Sequence, residues 1–294
     1  MNSKKIIITG ALGQDGKILS KILLKKGYSV FGFINKNFNS RIKKVKYKKI
    51  NLKNTRNFKK ELNIIKPTHV VHFGSSNPSY ESKSNFYKEN FKCAKNIIDS
   101  IISVNTNIKF IFPNSSQIFI KKKIVTENDK FVISNSYTKF RIDIFQYMKS
   151  MKEKKKFNFT NLILFNHDSK FRDKRFLLPR IIRGVKGKKI NFLTKIFKEN
   201  LIGDFSHAED ICDAIYLLIK KNTNYDNLIL SSKKVTRINN IILYLLKKHL
   251  PGQKIQTKTK INNDYIIGNN SLAKKELRWK IKKNIFVAID EMAN

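Results

Sequence analysis

Acid is the first thing this sequence lacks. Among 294 residues there are 21 Asp and Glu against 61 Lys and Arg, a formal net charge of +40. Cysteine is nearly absent too. Cys93 and Cys212 are the two there are, both in helix-like segments and neither with a partner at ligand spacing. A disulfide framework and a cysteine-held metal are therefore excluded, no metal site is expected, and both residues read as buried free thiols of a reducing compartment. No run of about 18 uncharged apolar residues occurs, so no membrane-spanning helix and no membrane partner are expected. The opening residues read as a strand of the fold rather than a leader, which makes the cytoplasm the expected location.

An excess of base normally suggests nucleic acid as partner. Here lysine is spread over nearly every expected helix and loop, and Ile and Asn are in excess with it. That pattern follows codon composition, and no recognition motif or aromatic stacking platform accompanies the charge, so no specific nucleic-acid partner is expected. A basic surface still concentrates small anionic ligands near a cleft.

What is present begins with KKIIITGALGQDG, an apolar run that ends at Gly10 and is followed by Gly13 and Gly16. A strand stopping at such a turn and restarting as a helix, expected over Lys17 to Lys26, brings backbone N–H groups against a pyrophosphate at the positive helix end. Gly10, Gly13, Gln14, Asp15 and Gly16 are thus candidate dinucleotide contacts.

Further strands are expected at Ser29 to Ile34, in YKKINL ending at Leu52, at His69 to Phe73, at Lys109 to Pro113 and at Asn161 to Phe165, with amphipathic helical segments between the early ones. Alternation of this kind gives a doubly wound parallel α/β sheet, the Rossmann arrangement. Residues 1–165 form the expected dinucleotide-binding core. Residues 166–294, which include a basic loop at Lys170 to Arg175, form a smaller substrate lobe interleaved with the last core elements.

The second strand runs out into Asn35, Lys36, Asn37 and Arg41 without a carboxylate. A ribose 2′-OH is ordinarily held by an acid at this point and a 2′-phosphate by cations, so NADP is the expected cofactor, with Lys36 and Arg41 as contacts. Asn51 and Leu52 follow strand three and are candidates for the adenine. Phe73, Gly74 and Ser75 follow strand four, where the backbone can pass close to the cofactor.

Strand five leads into Ser115, Ser116 and Gln117, and Tyr137 opens a long helix 22 residues after Ser115, with Arg141 one turn further on the same face. These positions resemble the Ser/Thr and Tyr-x-x-x-Lys set of the extended short-chain dehydrogenases/reductases. Within that group the chain most resembles the GDP-mannose 4,6-dehydratases. The likeness is carried by ITGALGQDG (Ile8 to Gly16), KPTHVVHFGS (Lys66 to Ser75), LILFNHDS (Leu162 to Ser169), RFLLPRI (Arg175 to Ile181) and GDFSHAEDICDAI (Gly203 to Ile215).

The resemblance implies NADP, a nucleoside-diphosphate sugar, in the first place a GDP-sugar, and a homodimer or homotetramer. It gives Tyr137 and Ser115 the proton transfer at C4, Ser116, Asn166 and Arg172 contacts to the sugar nucleotide, and His167 the nicotinamide end of the cofactor. It also exposes departures. The family's glutamate is Gln117, whose amide has no usable basicity, and its lysine is Arg141, which keeps charge but cannot pass a proton. Lys139 faces nearly the opposite way. The family's Arg-Asp-Trp is Gly203-Asp204-Phe205, which removes a cation. Three readings stay open: a 4,6-dehydratase using a water, Glu127 or Asp129 as base; an NADP-dependent reductase or epimerase, which needs no C5 base; and a binding homologue that has lost chemistry.

Overall fold

The computed structural model describes residues 3–35, 42–75, 85–120, 122–262 and 264–294. The chain divides into two compact units, neither continuous in sequence. One holds residues 1–120, 127–164 and 212–228, and the other 121–126, 165–211 and 229–294. Within this division 121–126 belongs to the second unit and 212–228 to the first.

In chain order the first unit runs through β1 (Lys5–Thr9), α1 (Gln14–Lys25), β2 (Ser29–Ile34), β3 (Lys46–Lys49), α2 (Thr55–Ile65), β4 (His69–His72), α3 (Phe86–Val104) and β5 (Lys109–Ser115). A 3-10 turn, Ser116–Ile118, follows, and β6 (Ile124–Val125) belongs to the other unit. The first unit resumes with α4 (Ser136–Lys155) and β7 (Phe159–Leu164). The sheet order is β10-β7-β5-β4-β1-β2-β3, with β10 at Leu228–Leu230. The pairings of β1 with β2 and β4, β2 with β3, and β5 with β4 and β7 are all parallel.

A parallel sheet is covered on both faces, which is why β4 and β7 are buried at every residue. Ile7, Phe33, Val70, Phe110, Phe112 and Phe140 belong to its main core. The chain builds outward from β1 in one direction to β3 and then starts again at β4 in the other. That reversal puts the ends of β1 and β4 side by side, where doubly wound sheets bind ligands.

The second unit contains α5 (Leu177–Lys186), α6 (Ile190–Glu199), α8 (Ile238–His249) and α10 (Ile285–Ala293), whose apolar faces share one core. Beside them lie a three-stranded sheet in the order β11 (Val235–Arg237), β9 (Ile202–His207), β8 (Asn166–Asp168), and a pair of β6 with β12 (Ile267–Gly268). Helix α9 spans Ser271–Leu277. The helix α7, Ala208–Lys221, passes from the second unit to the first at Cys212. Among the described residues no helix is long and apolar enough to cross a membrane.

Several boundaries differ from the sequence reading. Helix α1 begins at Gln14 rather than Lys17, because Gly13 already serves as its N-cap. Strand β3 stops at Lys49 instead of reaching Leu52, as Asn54 caps α2 by accepting from the Asn57 N–H. Cys93 is half-buried and Cys212 buried, and neither is in a disulfide.

Both histidines of β4 are buried and held to about 3, far below the usual 6.5, His69 by burial and then by Lys109 and Lys4, His72 by burial and then by Arg141. Each is neutral in the fold while the unfolded chain takes up a proton below pH 6.5, so their contribution is intact above that pH and is lost as pH falls from 6.5 toward 3. We expect stability to fall over that window by about 1.4 kcal/mol per pH unit for each histidine. Denaturant midpoints at pH 8, 6.5, 5.5 and 4.5 check this; equal midpoints at 6.5 and 4.5 would rule it out.

Candidate active site

At the end of β1 the backbone of Gly10 has φ +67°, and a Cβ there would lie 2.7–2.8 Å from the backbone of Phe73 and Gly74. Only glycine fits such a turn pressed on a neighbouring loop. Gly16, in the first turn of α1, is equally constrained: its Cβ would stand 2.5 Å from the Gly10 carbonyl oxygen. The Gly13 N–H donates to the same carbonyl at 3.0 Å, and Gly13 caps α1 with no side-chain hydrogen bond. First-turn N–H groups have no intrahelical acceptor, so an uncapped N-terminus at a sheet switch point is suited to a phosphate. Gln14 is buried and donates to Asp15 at 3.1 Å. The turn residues thus fit a dinucleotide on packing grounds as well as by motif.

Of the other expected cofactor contacts, Phe73, Gly74 and Ser75 lie directly against this turn or beside it, with the Ser75 N–H donating to the Phe73 carbonyl. Asn51 is exposed, its Oδ1 accepting from the Lys53 N–H, and the Leu52 carbonyl accepts from Asn96. Asn35 is exposed after β2. Lys36 and Arg41 lie outside the described residues.

At the end of β5, Ser115 caps the 3-10 turn, its Oγ accepting from the Gln117 N–H at 3.3 Å. Ser116 is buried and Gln117 is exposed. The seat for Ser115 is Asn114, a buried residue that the sequence reading passed over. Its Oδ1 accepts from the Ser115 N–H, while its Nδ2 donates to the Arg141 carbonyl of α4 and to Asn161 of β7. One side chain therefore ties β5, α4 and β7 together where the candidate catalytic residues stand.

Helix α4 is started by a capping box, Asn135 accepting from the Thr138 N–H while the Thr138 hydroxyl accepts from the Asn135 N–H. This fixes Tyr137 in the first turn, half-buried, its ring against Phe86 at 6.0 Å between centroids. Arg141 shares its face as expected, with the guanidinium carbon 5.0 Å from the Tyr137 ring centroid. It is nevertheless a core residue, 9% exposed, packed also over Phe112 and Phe140 and donating from Nη1 to the Pro113 carbonyl. A cation against a ring face in a dry setting contributes on the order of 2 kcal/mol. Lys139 points elsewhere, pairing with Asp143 at 2.7 Å.

In the second unit, Asn166 is exposed and donates to the Asp204 carbonyl at 3.3 Å. His167 is buried and its Nδ1 donates to the Phe165 carbonyl at 2.6 Å, which fixes the tautomer. The Nε of Arg172 is committed to Asp168 at 2.7 Å, and its guanidinium lies 3.5 Å over the Phe176 ring. Asp204, in the segment where the family's arginine is missing, is fully buried and takes four hydrogen bonds.

A family model described as GDP-mannose 4,6 dehydratase matches residues 7–292. The GDP-mannose 4,6 dehydratase of Dictyostelium discoideum is 26% identical, with 98% of this chain and 94% of that protein covered. GDP-mannose 4,6 dehydratase 1 of Arabidopsis thaliana is 25% identical, with 98% and 89% covered. Among solved structures, the dTDP-glucose 4,6-dehydratase of Bacillus anthracis, in complex with NAD, superposes with a TM-score of 0.83 at 12% identity, covering 99% of this chain and 96% of that one. The UDP-glucose 4-epimerase of Thermotoga maritima, with UDP-glucose, gives 0.82 at 14%, covering 98% and 97%. The two structures, with their low identities, speak to the fold.

Proposed function

The chain belongs to the GDP-mannose 4,6-dehydratase family, and from that premise we propose that it is an NADP-dependent sugar-nucleotide 4,6-dehydratase acting on a GDP-sugar. The observation that carries this reading is the pairing of Tyr137 with the Arg141 guanidinium on one face of α4. The acid-free run from Asn35 to Arg41 supports NADP over NAD. The family assembly, a homodimer or homotetramer, is read directly by light scattering.

A dinucleotide held by its pyrophosphate at the turn of Gly10 to Gly16 would supply the hydride acceptor for C4 of the sugar and the donor that returns the hydride to C6. The protein's part begins at the C4 hydroxyl. The Tyr137 oxygen takes that proton, with the Arg141 guanidinium against its ring, and the Ser115 hydroxyl donates a hydrogen bond to the same substrate oxygen. Loss of the C5 proton and of the C6 hydroxyl as water leaves the product 18 mass units lighter, with no net consumption of cofactor. Gln117 holds the position of the family's base. Its amide can orient the C6 hydroxyl but cannot take the proton, which passes to a water, Glu127 or Asp129. The family resemblance gives Ser116, Asn166 and Arg172 the sugar nucleotide and His167 the nicotinamide end.

Gln117 also favours a second reading, an NADP-dependent reductase or epimerase of a 4-keto sugar nucleotide, which needs no C5 base. GDP-, UDP- and dTDP-sugars supplied with NADP(H) and read by mass spectrometry separate the two. An 18-unit loss from GDP-mannose supports the dehydratase. A gain of 2 units by a 4-keto-6-deoxy sugar nucleotide with stoichiometric NADPH oxidation replaces it with the reductase, an isobaric epimer resolved by chromatography with the epimerase, and NADPH binding without any of these products leaves a binding homologue. In the dehydratase, Gln117→Glu restores a base of the usual strength and is expected to raise the 18-unit product rate about a hundredfold; an unchanged rate would show that the elimination does not pass this position.

A further inference from the structure

The buried β4 residue His72 has no part in the chemistry above, yet it lies between the two halves of the proposed site. Its Nδ1 is 2.6 Å from the Thr9 hydroxyl, and the same hydroxyl accepts from the Gly74 N–H at 3.2 Å. Thr9 is the last residue of β1 and Gly74 follows β4. One imidazole, acting through one hydroxyl, therefore holds together the two loops whose contact at Gly10 and Phe73 leaves no room for a Cβ. On its other side the ring stacks on Phe110 and Phe112, each 6.2 Å away, and Phe112 carries the Arg141 guanidinium at 5.3 Å.

We infer that His72 is a positioning residue for the dinucleotide cradle, setting through Thr9 the separation of the Gly10 and Gly74 backbones on which cofactor affinity depends. The inference rests on the reading of that turn as a dinucleotide site. A histidine is an unusual choice for packing alone. Its Nε2 is buried without a hydrogen-bond partner among the described residues, a cost that a phenylalanine in the same stack would not carry. Burial and the neighbouring Arg141 keep the ring neutral. The Thr9 contact therefore persists at any pH at which the protein is folded, and His72 serves geometry rather than proton transfer.

Two variants separate positioning from packing because they move in opposite directions. His72→Phe keeps the ring stack and removes the nitrogen; His72→Asn puts an amide where Nδ1 stood and gives up the stack. NADPH and NADH affinity by fluorescence titration, with Tm beside it, is the readout. Expected is about a tenfold weaker binding of the preferred dinucleotide by H72F, and an affinity for H72N within about threefold of the parent, although H72N melts lower than H72F. Parent-like affinity in H72F, or an affinity loss in H72N as large as in H72F, overturns the inference while leaving the cofactor site intact. If the parent itself binds neither dinucleotide, the reading of the turn falls, and the inference with it.

Discussion

Replacing Tyr137 by phenylalanine is expected to lower turnover by a factor of about 10² to 10⁴ while leaving folding and NADPH binding near those of the parent. The split follows from what the substitution keeps. A phenyl ring retains the contact with Phe86 and offers the same face to Arg141, so the packing at 6.0 Å and the cation contact at 5.0 Å both survive. The side chain is only half-buried, and removing its hydroxyl strands no buried partner among the described residues. Only the proton acceptor for the C4 hydroxyl is gone. Single-turnover rates with GDP-mannose, beside the NADPH affinity and Tm, check this. A variant keeping more than a tenth of the parent rate would remove Tyr137 from the chemistry in either enzymatic reading.

The largest loss of stability is expected at Asp204. Its Oδ1 accepts from the Ser232 N–H and hydroxyl at 2.8 and 2.6 Å, and its Oδ2 from the N–H groups of Lys233 and Gly268 at 3.0 and 3.3 Å. Burial raises its pKa, and the four donors pull against that rise. Alanine leaves all of these donors facing a cavity in the interior. The cost is about 3–5 kcal/mol, by comparison with other buried charged groups that lose their partner. Asparagine is little better, because its amide nitrogen turns a donor toward donors. For a chain of this length such a loss lowers Tm by roughly 6–15 °C. Calorimetry of D204A and D204N decides it, and a shift under 2 °C in both would mean that the neighbouring backbone finds other acceptors.

Much of the first unit was legible because its signals are local. The run Ile6 to Thr9 ends at glycines, and β4 and β7 are buried strands with apolar runs at Val70–Val71 and Leu162–Leu164 whose flanks mark them as strands. The Tyr137 and Arg141 pairing follows from helix period alone. Much of the second unit was not legible. Strands β8, β11 and β12 are two or three residues long, too short for alternation to register. Strand β9, IGDFSH, has a buried carboxylate at its centre, satisfied by backbone from 28 to 64 residues away. Helix α6 was missed although its pattern is amphipathic, following α5 after a short glycine-containing turn. At the site, Arg141's interior placement could not be foreseen, since it depends on the Pro113 carbonyl of another strand. Asn114 and His72 each read as a polar residue near the end of a strand, and what they connect is set by tertiary neighbours.

The interleaving of the two units governs the order in which this protein can be completed during synthesis. Residues 212–228, which bring the last part of α7 and the start of β10 to the first unit, leave the ribosome only after β8, α5, α6 and β9. Until then β7, buried at every residue in the finished sheet, is an open apolar edge with no strand beyond it. Open edges of this kind invite pairing with other chains, and domains otherwise tend to close as they emerge. Translation speed and chaperone access over the stretch from 165 to 228 therefore bear on the yield of native protein. A fragment cut at residue 165 would keep that exposed edge permanently.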